Sequence, residues 1–140
     1  MAHRYQPLKT SVNEIRILSL LPASERSSEI CCKLHTVSLD SNPVYIALSY
    51  CWGDPTNPRR ILLDHCVKEV SDQRESLAYS LTAYQVTANL HEALSSLRDP
   101  EDTISLWVDA LCINQDDLEE RSLQVLRMTA IYRSAMKVYS

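Results

Sequence analysis

The residues best suited to chemistry stand together in one run, Asp109-Ala110-Leu111-Cys112-Ile113-Asn114-Gln115-Asp116-Asp117, directly after the apolar stretch Leu106-Trp107-Val108. A carboxylate at the end of a buried strand cannot stay in the core unpaired, so Asp109 must meet solvent, a partner or a ligand. Two readings stay open for it: a ligand contact, or a cap for nearby backbone groups. Asn114 and Gln115 each carry donor and acceptor, which suits the polar edge of a ligand, but Asn is equally a turn residue. Cys112 would need a base to act as a nucleophile. Nothing in the spacing brings His65 or His91 to it, and a cysteine beside a strand ordinarily serves as small apolar filling. Asp116, Asp117, Glu119 and Glu120 have the types for acid–base work; at a helix start such residues more simply complement the helix dipole.

A second cluster is Ser49-Tyr50-Cys51-Trp52-Gly53. Ser49 and Tyr50 would close a central strand. Trp52 would either stack on a planar ligand or anchor the core. Gly53, the single glycine, would supply a positive φ or a close backbone approach. That scarcity also excludes Gly-rich phosphate loops. His65-Cys66 with Cys31-Cys32 lacks the paired spacings of a zinc site, so no metal is expected.

These clusters need elements to position them. Residues 14–21 alternate in a β-like way and stop at Pro22; residues 30–34 and 44–50 read as further strands, the last between Pro43 and Gly53. Residues 54–58 are loop by composition, and residues 61–63 form a short apolar run closing at Asp64. Asn89 opens a helix with Glu92 in capping-box position, and Leu90, Ala93, Leu94 and Leu97 give its buried stripe. The apolar run 106–108 suits a strand covered on both faces. A second helix follows, with Asp117 as N-cap. One of its faces carries Leu118, Arg121, Val125, Met128, Tyr132 and Ala135, another Leu123, Leu126 and Ala130, so the spacing predicts a well-covered helix. Residues 137–140 begin a last strand. From Tyr45 the order is strand, helix, strand, helix, strand, which is α/β with a parallel sheet. Ligands of such sheets bind outside the carboxyl ends of the strands, where Asp109 would stand.

One hundred and forty residues make one domain at most, able to bury about two thirds of the unfolded surface. The net charge of −4 is mild and Arg59-Arg60 is the sole adjacent basic pair, which argues against nucleic acid. No apolar run approaches a membrane span, and no signal-peptide core follows Met1. The five cysteines include one vicinal pair and no regular spacing, as expected of a reducing compartment rather than a disulfide framework. A soluble cytoplasmic protein is expected.

Tyr45-Ile-Ala-Leu-Ser-Tyr-Cys-Trp-Gly-Asp54 resembles the "ALSYxWG" signature of the fungal heterokaryon-incompatibility (HET) domain family, and residues 106–115 resemble its "LWIDAICINQ" block. Glu120-Arg121, Gln124-Val125, Met128, Ile131-Tyr132 and Ala135 fall where that family places the same residues. Ile15-Arg-Ile-Leu, Cys32-x-Leu and Asn89-Leu-x-x-Ala-Leu match its usual lead-in. The resemblance covers nearly the whole chain. It implies an α/β fold similar to the Toll/interleukin-1 receptor (TIR) domain, a flavodoxin-like, partly parallel sheet flanked by helices. Residues 1–43 would be lead-in strands and residues 44–140 a HET domain cut short at its carboxyl end.

It also implies a role in nonself recognition and incompatibility cell death, by self-assembly or a protein partner, with no cofactor. Glu120 and Arg121 join the candidate residues on this ground. Some TIR-like domains cleave NAD with a glutamate on a later helix, so NAD as a substrate is the alternative; the matching motif is absent from this chain and no residue inherits that role. A non-functional fragment is the third reading, whose open sheet edge would make it poorly soluble.

Residues 67–84 depart from the family pattern. They are expected to be either a surface insertion, which loops tolerate cheaply, or a retained intron, since Val70-Ser71, Leu81-Thr82 and Gln85 are encodable by splice-like triplets.

Overall fold

In β1 (Glu14–Leu20) and β2 (Cys31–Ser38), apolar residues recur at alternate positions, and the chain turns between them after Pro22. The computed structural model describes residues 8, 13–25, 29–49, 56–71 and 74–139. After β2 a single 3-10 turn (Leu39–Ser41) is held by Ser38, whose hydroxyl accepts from Asp40 N at 3.1 Å, and it ends at Asn42 in the left-handed region. Then come β3 (Ile46–Leu48), β4 (Arg59–Ser71), β5 (Arg74–Val86), α1 (Ala88–Leu97), β6 (Ile104–Val108), the one-turn α2 (Asp109–Cys112), α3 (Leu118–Ser134) and β7 (Lys137–Tyr139).

The strands form one seven-stranded sheet in the order β5-β4-β2-β1-β6-β3-β7. The expected α/β class holds, but the sheet is mixed. β3 is parallel to β6 and β7, and β2 to β4; β1 runs antiparallel to both neighbours, as β5 does to β4. The β6-β3-β7 part is parallel throughout, and α1 and α3 lie in the connections that lead to β6 and β7.

Ala47 and Trp107 are register partners and share one face. On that face α3 packs, with the Tyr132 ring edge-on to Trp107 at 5.6 Å and the Tyr45 hydroxyl donating to the Ile131 carbonyl at 2.5 Å. The opposite face carries Leu48, Val108 and Leu18, and meets α1 and α2. Leu18, Leu20, Cys32, Leu63, Leu90, Leu94, Leu106 and Leu111 lie in the buried core. Trp107 is fully buried, as the reading of strand β6 requires.

Four local expectations are corrected. β3 spans three residues rather than 44–50: Val44 is exposed and Tyr45 precedes the ladder. The run at residues 61–63 does not close at Asp64, because β4 continues to Ser71 against β5. Residues 67–71 and 74–84 therefore belong to two long paired strands. The cap of α1 is Thr87, whose Oγ1 accepts from Leu90 N at 3.2 Å, so the helix starts before Asn89 and the Asn89/Glu92 capping box is not used. Finally, α3 is covered on one side only. Glu120, Gln124 and Ile131 are buried on it, while Leu118, Val125 and Leu126 are exposed. Polar residues at buried positions lowered its apolar periodicity and misdirected the reading of its faces.

Candidate functional site

Since β3 and β6 are parallel with Leu48 opposite Val108, the next residues, Ser49 and Asp109, emerge side by side at the carboxyl ends. Ser49 N donates to the Tyr139 carbonyl at 2.7 Å, which extends the β3–β7 pairing by one step. The Ser49 hydroxyl bonds the phenol of Tyr132, and burial, followed by the nearby Asp109 charge, pushes that phenol above its ordinary pKa despite this bond. A serine, a carboxylate and a phenol thus gather where a ligand of an open α/β sheet would sit. On the opposite face of the sheet a cavity of about 310 Å³ is lined by Leu48 and Tyr139 from the sheet and Glu92, Ala93, Ser96 and Leu97 from α1, and none of the three residues lines it. Tyr50, Trp52 and Gly53 lie outside the described residues.

The rest of the Asp109–Asp117 run is engaged within the protein, although Gln115, Asp116 and Asp117 stay exposed. After α2 the Asp109 carbonyl accepts from Ile113 N at 3.2 Å and from Gln115 Nε2 at 2.9 Å. The Asn114 side chain accepts from Asp116 N at 3.2 Å, an Asx turn. Asp117 caps α3, its Oδ1 accepting from Glu120 N at 3.1 Å, as the sequence predicts. Cys112 is fully buried; desolvation pushes its thiol up to about 12, so it is neutral filling and no nucleophile at ordinary pH. Arg121 is exposed on α3.

Glu120 departs most from expectation. It is not a solvated, dipole-complementing carboxylate but is buried against Arg16 of β1, with Arg16 Nη2 at 2.6 Å from Oε1 and Nη1 at 2.8 Å from Oε2. The same Oε2 accepts from Asn114 N at 2.5 Å, and Arg16 Nη1 also donates to the Cys112 carbonyl at 3.1 Å. This bidentate pair supplies charge-assisted bonds in a planar fork geometry, tying β1, the end of α2, the turn at Asn114 and the first turn of α3 together. Arg16 was not among the candidates. The signal was present: a single cation within the apolar run Ile15-Arg-Ile-Leu of a buried strand demands a buried anion.

Among the described residues no group of three or more His, Cys, Asp or Glu is placed to hold a metal ion. Neither is any helix among them long and apolar enough to cross a membrane.

The family model described as "Heterokaryon incompatibility protein (HET)" matches residues 45–140. Among curated proteins, the chain is 40% identical over 124 residues to "Heterokaryon incompatibility protein 6, OR allele" of Neurospora crassa, a match over 89% of this chain and 18% of that protein. The chain thus spans under a fifth of the length of that relative. No solved structure matches.

Proposed function

We propose that this chain, which belongs to the heterokaryon incompatibility (HET) family, serves fungal nonself recognition as a protein-interaction module that triggers incompatibility cell death from the cytoplasm. Its α/β frame would then be of the TIR-like, flavodoxin-like kind, and its partner either another protein or a further copy of itself. The observation that carries the reading is that the motif's polar groups are bonded within the chain itself. Glu120, Asn114 and Gln115 are spent on Arg16 and on backbone groups, and Cys112 is buried and neutral. A run so engaged acts as a brace that fixes the start of α3 against the sheet. Braces of this kind present a rigid surface to a partner, and rigidity lowers the entropy lost on binding.

A second reading is favoured by Ser49, Asp109 and Tyr132 gathering at the carboxyl ends of parallel strands. In it the domain takes NAD as a substrate at those strand ends. The two readings separate in one experiment. The chain is expressed in fungal cells from an inducible promoter, and cell death and cellular NAD are followed together. The interaction reading expects death with NAD unchanged. NAD falling before death, and both effects vanishing in Asp109→Asn, would sink it and leave the enzyme.

A further inference from the structure

The buried positions of α3, Glu120, Gln124 and Ile131, fix which side faces the sheet. At about 3.6 residues per turn the opposite side is centred on Leu126, with Glu119, Ser122, Ala130 and Arg133 around it. All five are exposed or partly so, and Leu126 is 80% exposed. Leu118 at 72% and Val125 at 53% flank this line. A lone exposed leucine needs no explanation; here Leu118 and Val125, roughly a quarter turn round the helix from Leu126, widen the apolar part of the solvent side on one flank of that line. Charges are unevenly placed along the helix. Asp116, Asp117 and Glu119 outweigh Arg121 at the start, while Arg133 stands at the end with Lys137 just beyond it in β7.

That arrangement is self-complementary in one orientation only. We propose that α3 pairs antiparallel with α3 of a second copy of this chain, about a two-fold axis at Leu126. This deepens the interaction reading above by naming the partner and the surface. The axis sets Leu126 against Leu126, and Ser122 against Ala130 on both sides, where small side chains let the helices approach. Glu119 then faces Arg133 twice, and the acidic start of each helix lies over the basic end of the other. Antiparallel helix dipoles add to the match. A parallel pairing would instead stack acid on acid and base on base. The isologous contact closes on itself and leaves no unpaired copy of the patch.

A contact confined to one helix pair about 25 Å long falls with small, transient interfaces, so the dissociation constant is expected on the order of micromolar or weaker. Sedimentation equilibrium of the 140-residue chain over rising concentration is the test. The wild-type chain should shift from monomer to dimer. Leu126→Glu should weaken dimerisation by roughly tenfold or more, and Glu119→Arg should weaken it, because a second guanidinium then faces Arg133 at both ends of the contact. The double variant Glu119→Arg/Arg133→Glu should restore it, an outcome that a merely misfolded variant cannot give. All these sites lie on the solvent side of α3, so circular dichroism should stay at the wild-type value, as should the urea midpoint of Leu126→Glu. The charge variants should lose a little stability because they reverse the match to the helix dipole. A chain monomeric throughout, or a dimer indifferent to Leu126→Glu and to the charge swap, would overturn the proposal. Dimerisation without any death response would instead count against the functional reading and leave this surface standing.

Discussion

Arg16 and Glu120 lie 104 positions apart and meet with both partners almost fully buried. A pair of this kind is only weak evidence of net stabilisation, because desolvation of two ions offsets most of their attraction. Breaking it is a different matter, since one charge is then left buried and uncompensated. Glu120→Gln would strand the Arg16 guanidinium and also loosen the Asn114 backbone bond. The expected cost is roughly 3–5 kcal/mol, a large share of the ~5–15 kcal/mol that holds a domain of this size. The double variant Arg16→Met/Glu120→Leu removes both charges, and should be clearly more stable than either single change. Urea unfolding of the three variants checks this; a double variant less stable than Glu120→Gln would mean that the pair is strongly net stabilising. The sequence placed Glu120 correctly in the first turn of α3 but not its partner, because helix-start patterning says nothing about a strand a hundred residues earlier.

At the scale of elements, the β4–β5 hairpin has the least support. β2 pairs with β4 only from Leu62 to His65, opposite Cys31 to Leu34. Beyond Cys66 and Tyr79 the two strands pair only with each other, out to Ser71 opposite Arg74. A two-stranded ribbon is at best marginally stable on its own, so its outer part should add little to the fold. Replacing residues 67–78 by Asn-Gly keeps Cys66 opposite Tyr79 and supplies a tight hairpin turn. The melting temperature should then move by roughly 4 °C or less, as a change of about 1 kcal/mol would produce. A collapse of the thermal transition would show that the ribbon is integral. The sequence set this segment apart yet offered no strand reading for it. Its polar residues follow no clean period of two, and no Gly or Pro marks the turn. The cap of α1 slipped by two residues for a related reason: Thr87 and Asn89 are both good caps, and only the fold selects between them.

On the scale of the whole molecule, the carboxyl-terminal half was the more legible, because β6, α3 and β7 follow local signals such as an apolar run and an Asp cap, although the one-turn α2 carried none. Sheet order was not legible, since β1 enters between β2 and β6 by long-range pairing. The strand ends at Asp109 and Ser49 were legible as a place, but Tyr132 stands out in the sequence only as one residue of a helix face and joins them through tertiary packing. The same topology leaves β7 at one edge of the described sheet, paired only with β3 and carrying exposed Val138 and Tyr139. An exposed apolar edge offers unpaired backbone groups to another chain. Lys137 already places one charge on it, and a second at the centre should blunt it further. Val138→Lys is therefore expected to slow concentration-dependent aggregation, read by light scattering below the melting temperature. The melting temperature itself should be nearly unchanged, because Val138 is 46% exposed and little packing is lost. If aggregation instead keeps its wild-type rate, the associating surface lies elsewhere, and combining Val138→Lys with Leu126→Glu separates this edge from the α3 face.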